Sequence, residues 1–237
     1  MKTQSIEYQD DKTLLEGYLV AQEDNKPRPM VLISHAWGGL SDFERQKAED
    51  IGKLGYNAFA IDMYGKDKRG GSVEENRKLM APFVEDRALL RQRIIAALNA
   101  AQAMDNVDSS RIAAMGFCFG GLCVLDLARS GANVQGVISI HGLFTPLPDS
   151  LPNEMIKAKV LALHGYDDPM VPPEQLLALA NELNDAGVDW QVHAYGLTYH
   201  AFTNPKANDA NAGTVFNPVA NKRAWQSVGN FLEELFV

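Results

Sequence analysis

The chain has only two cysteines, Cys118 and Cys123, in 237 residues. Both fall at the start of one expected helix, where they are poorly placed for a disulfide and unlike paired zinc ligands. Free thiols in a reducing compartment are expected. Basic residues are in deficit, with 22 Lys and Arg against 30 Asp and Glu, a net charge of −8 and a pI of about 5.1. That balance disfavours unspecific binding of nucleic acid or anionic lipid. No apolar run approaches the ~20 residues that a membrane-spanning helix needs. Met1-Lys2-Thr3-Gln4-Ser5 leads into a mixed polar segment rather than a secretory signal, so a cytoplasmic location is expected. There is no internal repeat, no low-complexity tract and no clustering of metal ligands, and neither a metal nor a cofactor is expected.

What is present is ordinary for a globular enzyme, 46% hydrophobic and 22% charged residues, enough for a substantial core within one α/β domain spanning 1–237. Alternating segments at Ser5–Gln9 and Leu14–Ala21 suit an edge hairpin. The run Met30-Val31-Leu32-Ile33-Ser34-His35 is apolar almost throughout, as a strand covered on both faces requires, and Ala36-Trp37-Gly38-Gly39 breaks it. Ser41-Asp42-Phe43-Glu44 resembles a capping box opening a helix that ends near Gly55, before a strand at Ala58–Tyr64. Lys66–Ser72 reads as an exposed loop and Val73–Met104 as two helical pieces divided at Pro82. Further strands are expected at Arg111–Phe117, Val134–His141, Val160–His164 and Trp190–Tyr195. Helices are expected at Gly120–Ser130, Pro173–Ala186 and Val219–Phe236. Strands alternating with helices demand a mostly parallel sheet with helices on both faces, and ligands then bind beyond the strands' carboxyl ends.

The chemistry is concentrated there. Gly116-Phe117-Cys118-Phe119-Gly120-Gly121 stands where a strand passes into a helix and matches the nucleophile elbow G-x-S-x-G with sulfur for oxygen. So tight a turn needs small residues on either side of the nucleophile. A helix N-terminus favours thiolate over thiol, so Cys118 is the candidate nucleophile, against the plainer reading of a packed free cysteine. Downstream, Asp167-Asp168 follows one strand and His200 follows the last. The order nucleophile, acid, histidine is the one this fold uses. His200 would exchange the proton and Asp168 would orient it, with Asp167 as the competing acid. Backbone donors for an oxyanion are expected at Phe119 and Ala36. Trp37 would line the pocket or pack, His141 and His164 end strands, His193 is structural, and Cys123 packs in the core.

These motifs resemble the dienelactone hydrolase family of α/β-hydrolases. The likeness rests on G-F-C-F-G-G at 116–121, on G-x-x-D-P-x-V-P from Gly165 to Pro172, and on H-A-F at 200–202, and it extends over essentially the whole chain. The resemblance implies an α/β-hydrolase fold and a Cys118, Asp168, His200 triad that cleaves a carboxylic ester or lactone through a thioester. It also marks two departures. Family members have a glutamate in the loop where His35 stands, understood to contact the resting thiol. Those acting on dienelactone hold the substrate carboxylate with arginines, one shortly after the catalytic histidine, where this chain reads Thr203-Asn204-Pro205. His35, Trp37 and Arg77 are the candidate substrate contacts, with Arg77 the candidate anion anchor; the plainer readings are that His35 hydrogen-bonds the backbone of its own loop and that Arg77 is a solvated helix arginine. Two other readings stand beside hydrolysis: acyl transfer from the same thioester to an alcohol or amine, and a non-catalytic thiol sensor. The partner expected is a small ester or lactone, with no nucleic acid and no membrane; a monomer is compatible with the sequence.

Overall fold

In a computed structural model, which describes every residue except Asn25 and Pro152, the chain opens with a hairpin, β1 (Lys2–Asp10) and β2 (Thr13–Ala21), closed by a two-residue turn with Asp11 at φ 48°. There follow β3 (Arg28–Ser34), α1 (Asp42–Lys53), β4 (Asn57–Ile61), α2 (Val73–Glu85), α3 (Arg87–Gln102), β5 (Val107–Phe117), α4 (Phe119–Arg129) and β6 (Gly136–Ile140). The chain ends with β7 (Lys159–Gly165), α5 (Pro173–Asp185), β8 (Trp190–Tyr195), a short hairpin of β9 (Asn208–Asp209) and β10 (Thr214–Val215), and α6 (Pro218–Phe236).

Eight strands form one sheet in the order β1-β2-β4-β3-β5-β6-β7-β8, antiparallel at β1/β2 and β2/β4 and parallel elsewhere. Alternation divides the core between two faces. Met30 and Leu32 of β3, with Ile112 and Ala114 of β5, pack with Ile94 of α3, Leu122 of α4 and Leu179 of α5. Val31 and Ile33, with Ala113 and Met115, pack with Ile51 of α1 and Val228 and Leu232 of α6. Because helices cover both faces, β4 and β6 are buried along their whole lengths. From β3 the chain moves to β4 on one side and returns to β5 on the other, so the strand order reverses beside β3 and opens a crevice at the carboxyl ends.

Two expectations shift. The expected break at Pro82 lies instead at Asp86, whose side chain caps α3 by accepting from Ala88 N–H and Leu89 N–H, each at 3.0 Å, while Pro82 rides inside the last turn of α2. The strand expected to reach Tyr64 stops at Ile61, because Asp62 turns its carboxylate onto the N–H groups of Tyr64 and Gly65.

Candidate active site

One residue separates β5 from α4, and it is Cys118, with φ 55° and ψ −115°. A side chain seldom adopts such a backbone, and the surroundings hold it there. Cys118 N–H donates to Ile140 O at 3.1 Å. The flanking glycines are required by backbone approach. A Cβ on Gly116 would lie 2.0 Å from Gly120 O, and one on Gly120 would lie 2.2 Å from Ser34 O at the end of β3. The half-buried Cys118 consequently projects into a cavity of about 520 Å³ at the carboxyl ends of the strands.

His200 and Asp168 reach the same place from two loops. His200 Nδ1 and Asp168 Oδ2 are 2.6 Å apart, both side chains are buried, and Asp168 Oδ1 accepts from Met170 N–H at 2.8 Å. Asp167 is exposed; its N–H donates to Thr198 O at 3.0 Å, and it is Asp168 that meets the histidine. The hairpin of β9 and β10 grips His200 by its backbone: its N–H donates to Gly213 O at 2.9 Å, and its carbonyl accepts from Val215 N–H at 3.1 Å. These two-residue strands have too short a period to be read from sequence.

His200 Nε2 makes no hydrogen bond of standard geometry, yet the Cys118 sulfur is near enough to govern its basicity. Burial lowers the affinity of His200 for a proton. The charge of a Cys118 thiolate, the Asp168 hydrogen bond, a thiol hydrogen bond and the Asp168 charge outweigh it, and the imidazole is pushed up to about 10. Burial disfavours the charged form of His141 and His164. His141, at φ 38°, packs edge-on against His200 with ring centroids 5.2 Å apart and shares a 2.9 Å hydrogen bond with Thr203 Oγ1. Burial first, then the charge of His200, push it well down. Burial also lowers His164, beneath Phe144. His193 shares a hydrogen bond with Ser227 Oγ on α6 at 2.9 Å. Burial pushes the Cys123 thiol up and keeps it in the core.

The loop after β3 departs most from expectation. His35 is wholly buried and does not line the cavity; its Nδ1–H donates to Ala36 O at 2.6 Å and its Nε2 accepts from Met63 N–H at 3.1 Å. Both ring nitrogens serve backbone, the first within its own loop as the structural reading of His35 has it, which leaves neither for a substrate. Arg77 is exposed on α2, outside the cavity lining. Trp37 does line the cavity. Of the two expected oxyanion donors, Phe119 N–H, at the first position of α4, has no acceptor among the described residues. Ala36 N–H is instead taken by Glu44 Oε1 at 3.2 Å, and the next amide, Trp37 N–H, has no acceptor among the described residues. Glu44 itself was visible in the sequence only as a capping-box residue. It does cap α1, accepting from Ser41 N–H at 2.9 Å and Ser41 Oγ at 2.6 Å, but it also faces the cavity.

Among the described residues, no group of three or more His, Cys, Asp or Glu is placed to hold a metal ion, and no helix is long and apolar enough to cross a membrane.

The dienelactone hydrolase family profile matches residues 15–236. A relative from Aquifex aeolicus named "Putative carboxymethylenebutenolidase" is 27% identical over 97% of each chain. An uncharacterized protein of Caenorhabditis elegans is 35% identical over 62% of this chain and 94% of its own length. Among solved structures, a dienelactone hydrolase-like promiscuous phosphotriesterase from metagenomic libraries superposes with a TM-score of 0.94 at 34% identity, covering 100% of this chain and 99% of the other. With the family profile spanning nearly the whole sequence and the sheet topology agreeing, the chain belongs to the dienelactone hydrolase family, α/β-hydrolases that cleave esters and lactones.

Proposed function

We propose that the whole chain acts as a single cytoplasmic α/β-hydrolase domain that cleaves a carboxylic ester or lactone through a thioester on Cys118, without a cofactor. The observation that carries this reading is His200, bound to Asp168 through Nδ1 and turned by Nε2 toward Cys118 at the cavity. The Cys118 thiolate attacks the carbonyl carbon, and the displaced electron pair resides on oxygen, facing Phe119 N–H and Trp37 N–H. Collapse breaks the carbon–oxygen ester bond, and His200 Nε2–H gives its proton to the departing alkoxide, which in a lactone stays tethered to the acyl group. Neutral His200 then takes a proton from the water that attacks the thioester. Expulsion of the Cys118 thiolate restores the imidazolium pair. Asp168 fixes the ring orientation and its charge favours that imidazolium.

The test is release of p-nitrophenol from short-chain p-nitrophenyl esters. Cys118→Ala should abolish it, and His200→Ala should reduce kcat by about a thousandfold. Trapping of an acyl adduct on Cys118 by mass spectrometry would separate this route from direct water attack. Full activity in Cys118→Ala would overturn the nucleophile, and inactivity of the wild type across esters and lactones would overturn the hydrolase reading. A neutral phosphotriester belongs in the same panel, because one structural neighbour at 34% identity is a promiscuous phosphotriesterase.

A further inference from the structure

We infer that Glu44 sets the charge preference of this site, selecting against esters that carry a carboxylate and in favour of uncharged or cationic ones. This specificity rests on the hydrolase reading above. Glu44 is 2% exposed, lines the same cavity as Cys118, and has both oxygens accepting, Oε1 from Ala36 N–H and Oε2 from Ser41 N–H. That is the bonding pattern of a carboxylate, held in place from two sides. Among the described residues that line the cavity there is no Lys or Arg, and the remainder of the wall is largely apolar, with Trp37, Phe43, Met80, Leu143 and Met170.

Two basic side chains of the adjoining segments are engaged elsewhere. Arg69 donates through Nε to Leu40 O and through Nη1 to Lys68 O at 2.7 Å. Lys47, one turn beyond Glu44 on α1, pairs with Asp50 at 3.4 Å and lies over the Trp225 ring at 4.6 Å. The imidazole of His200 is already paired with the Asp168 carboxylate at 2.6 Å. An anionic substrate would therefore surrender its hydration to a cavity that offers Glu44 and no countercharge.

Three acetate esters with one common acyl group test this: m-acetoxybenzoate, its methyl ester, and m-acetoxyphenyltrimethylammonium. Since the acetyl-enzyme is the same for all, kcat/KM compares acylation alone. After correction for each ester's uncatalysed hydrolysis, wild type should favour the methyl ester over the carboxylate by at least about tenfold. Glu44→Gln retains a residue that can close the capping box. It should raise the carboxylate-to-methyl-ester ratio about tenfold and lower the ammonium-to-methyl-ester ratio, as a Coulomb effect of fixed sign requires. A folding defect would scale all three rates together and leave the ratios unchanged. Should the variant fail to fold, the wild-type ratios decide alone. Equal handling of carboxylate and methyl ester by wild type, or ratios unmoved in a folded Glu44→Gln, would overturn the inference while leaving the hydrolase reading intact. Turnover of none of the three would overturn both.

Discussion

His35 illustrates how a residue beside a nucleophile can serve the fold. Its ring ties the end of β3 to the segment after β4, donating to Ala36 O and accepting from Met63 N–H. Burial lowers its affinity for a proton, against the attraction of Glu44, and the neutral tautomer is the one that satisfies both bonds. His35→Ala would leave Met63 N–H buried without a partner and open a void beneath Tyr64, whose ring lies edge-on to the imidazole at 4.7 Å. A loss of about 3 kcal/mol in urea unfolding is expected. A change below about 0.5 kcal/mol, the scale of ordinary surface substitutions, would show that these bonds do not carry the loop. Residue type and position in the sequence show that His35 ends a strand near Cys118. They do not show which way its two nitrogens point, because the partner Met63 comes from another strand's end. Cys118, Asp168 and His200 were more legible because each sits in a motif whose local backbone dictates its direction, and Gly116 and Gly120 at the elbow leave Cys118 one way to face.

At the scale of elements, the hairpin of β9 and β10 links the two loops that bring Asp168 and His200 together. Gly213 supplies the carbonyl that holds His200 N–H, has φ +70°, and lies so close to Pro169 that a Cβ would approach its Cγ to 2.2 Å. Pro169 directly follows Asp168. The hairpin thus packs against the acid's loop while bonding the histidine's backbone, so a displacement on one side is felt on the other. Gly213→Ala should move that contact. We expect kcat to fall about tenfold, since small misplacements of reacting groups are costly, with a stability loss of about 1 kcal/mol from the positive φ. Thermal melting and steady-state kinetics on the same preparation check this. A variant that loses stability but keeps kcat would show that the hairpin supports the fold without setting the site. Neither this hairpin nor its contact was legible in the sequence, since two-residue strands have no periodicity and Gly213 sits in a polar stretch that reads as loop. The long helices and buried strands were legible because their apolar spacing repeats over several turns or residues. The break between α2 and α3 was misplaced because Pro82 is tolerated near a helix end, and the cap at Asp86 decided the boundary.

Over the whole molecule, buried charges are paired across elements. Asp126 of α4 takes both Arg87 of α3, at 2.6 Å, and Arg129, at 3.1 Å, and Arg129 continues to Glu182 of α5 at 2.7 Å. Such pairs staple the helices on one face of the sheet, and removing one partner strands the other. The parallel sheet was legible from alternation of strands and helices, whereas the strand order was not, because the reversal beside β3 depends on which side each crossover takes. The charge at the active site leaves its own signature on stability. Free histidine titrates near 6.5, and His200 in the fold is pushed up to about 10, since the Cys118 and Asp168 interactions overcome the opposing effect of burial. The folded state therefore holds this proton more tightly than the unfolded state does. The stability it contributes is present in full below about pH 6.5 and is lost as pH rises toward about 10. Other groups titrate in the alkaline range, so the informative quantity is the melting temperature of wild type minus that of His200→Gln, which lacks the linkage. That difference should be largest near about pH 6 and shrink steadily toward about pH 10. A difference that stays flat, or grows, over this range would mean that the fold does not favour the His200 imidazolium.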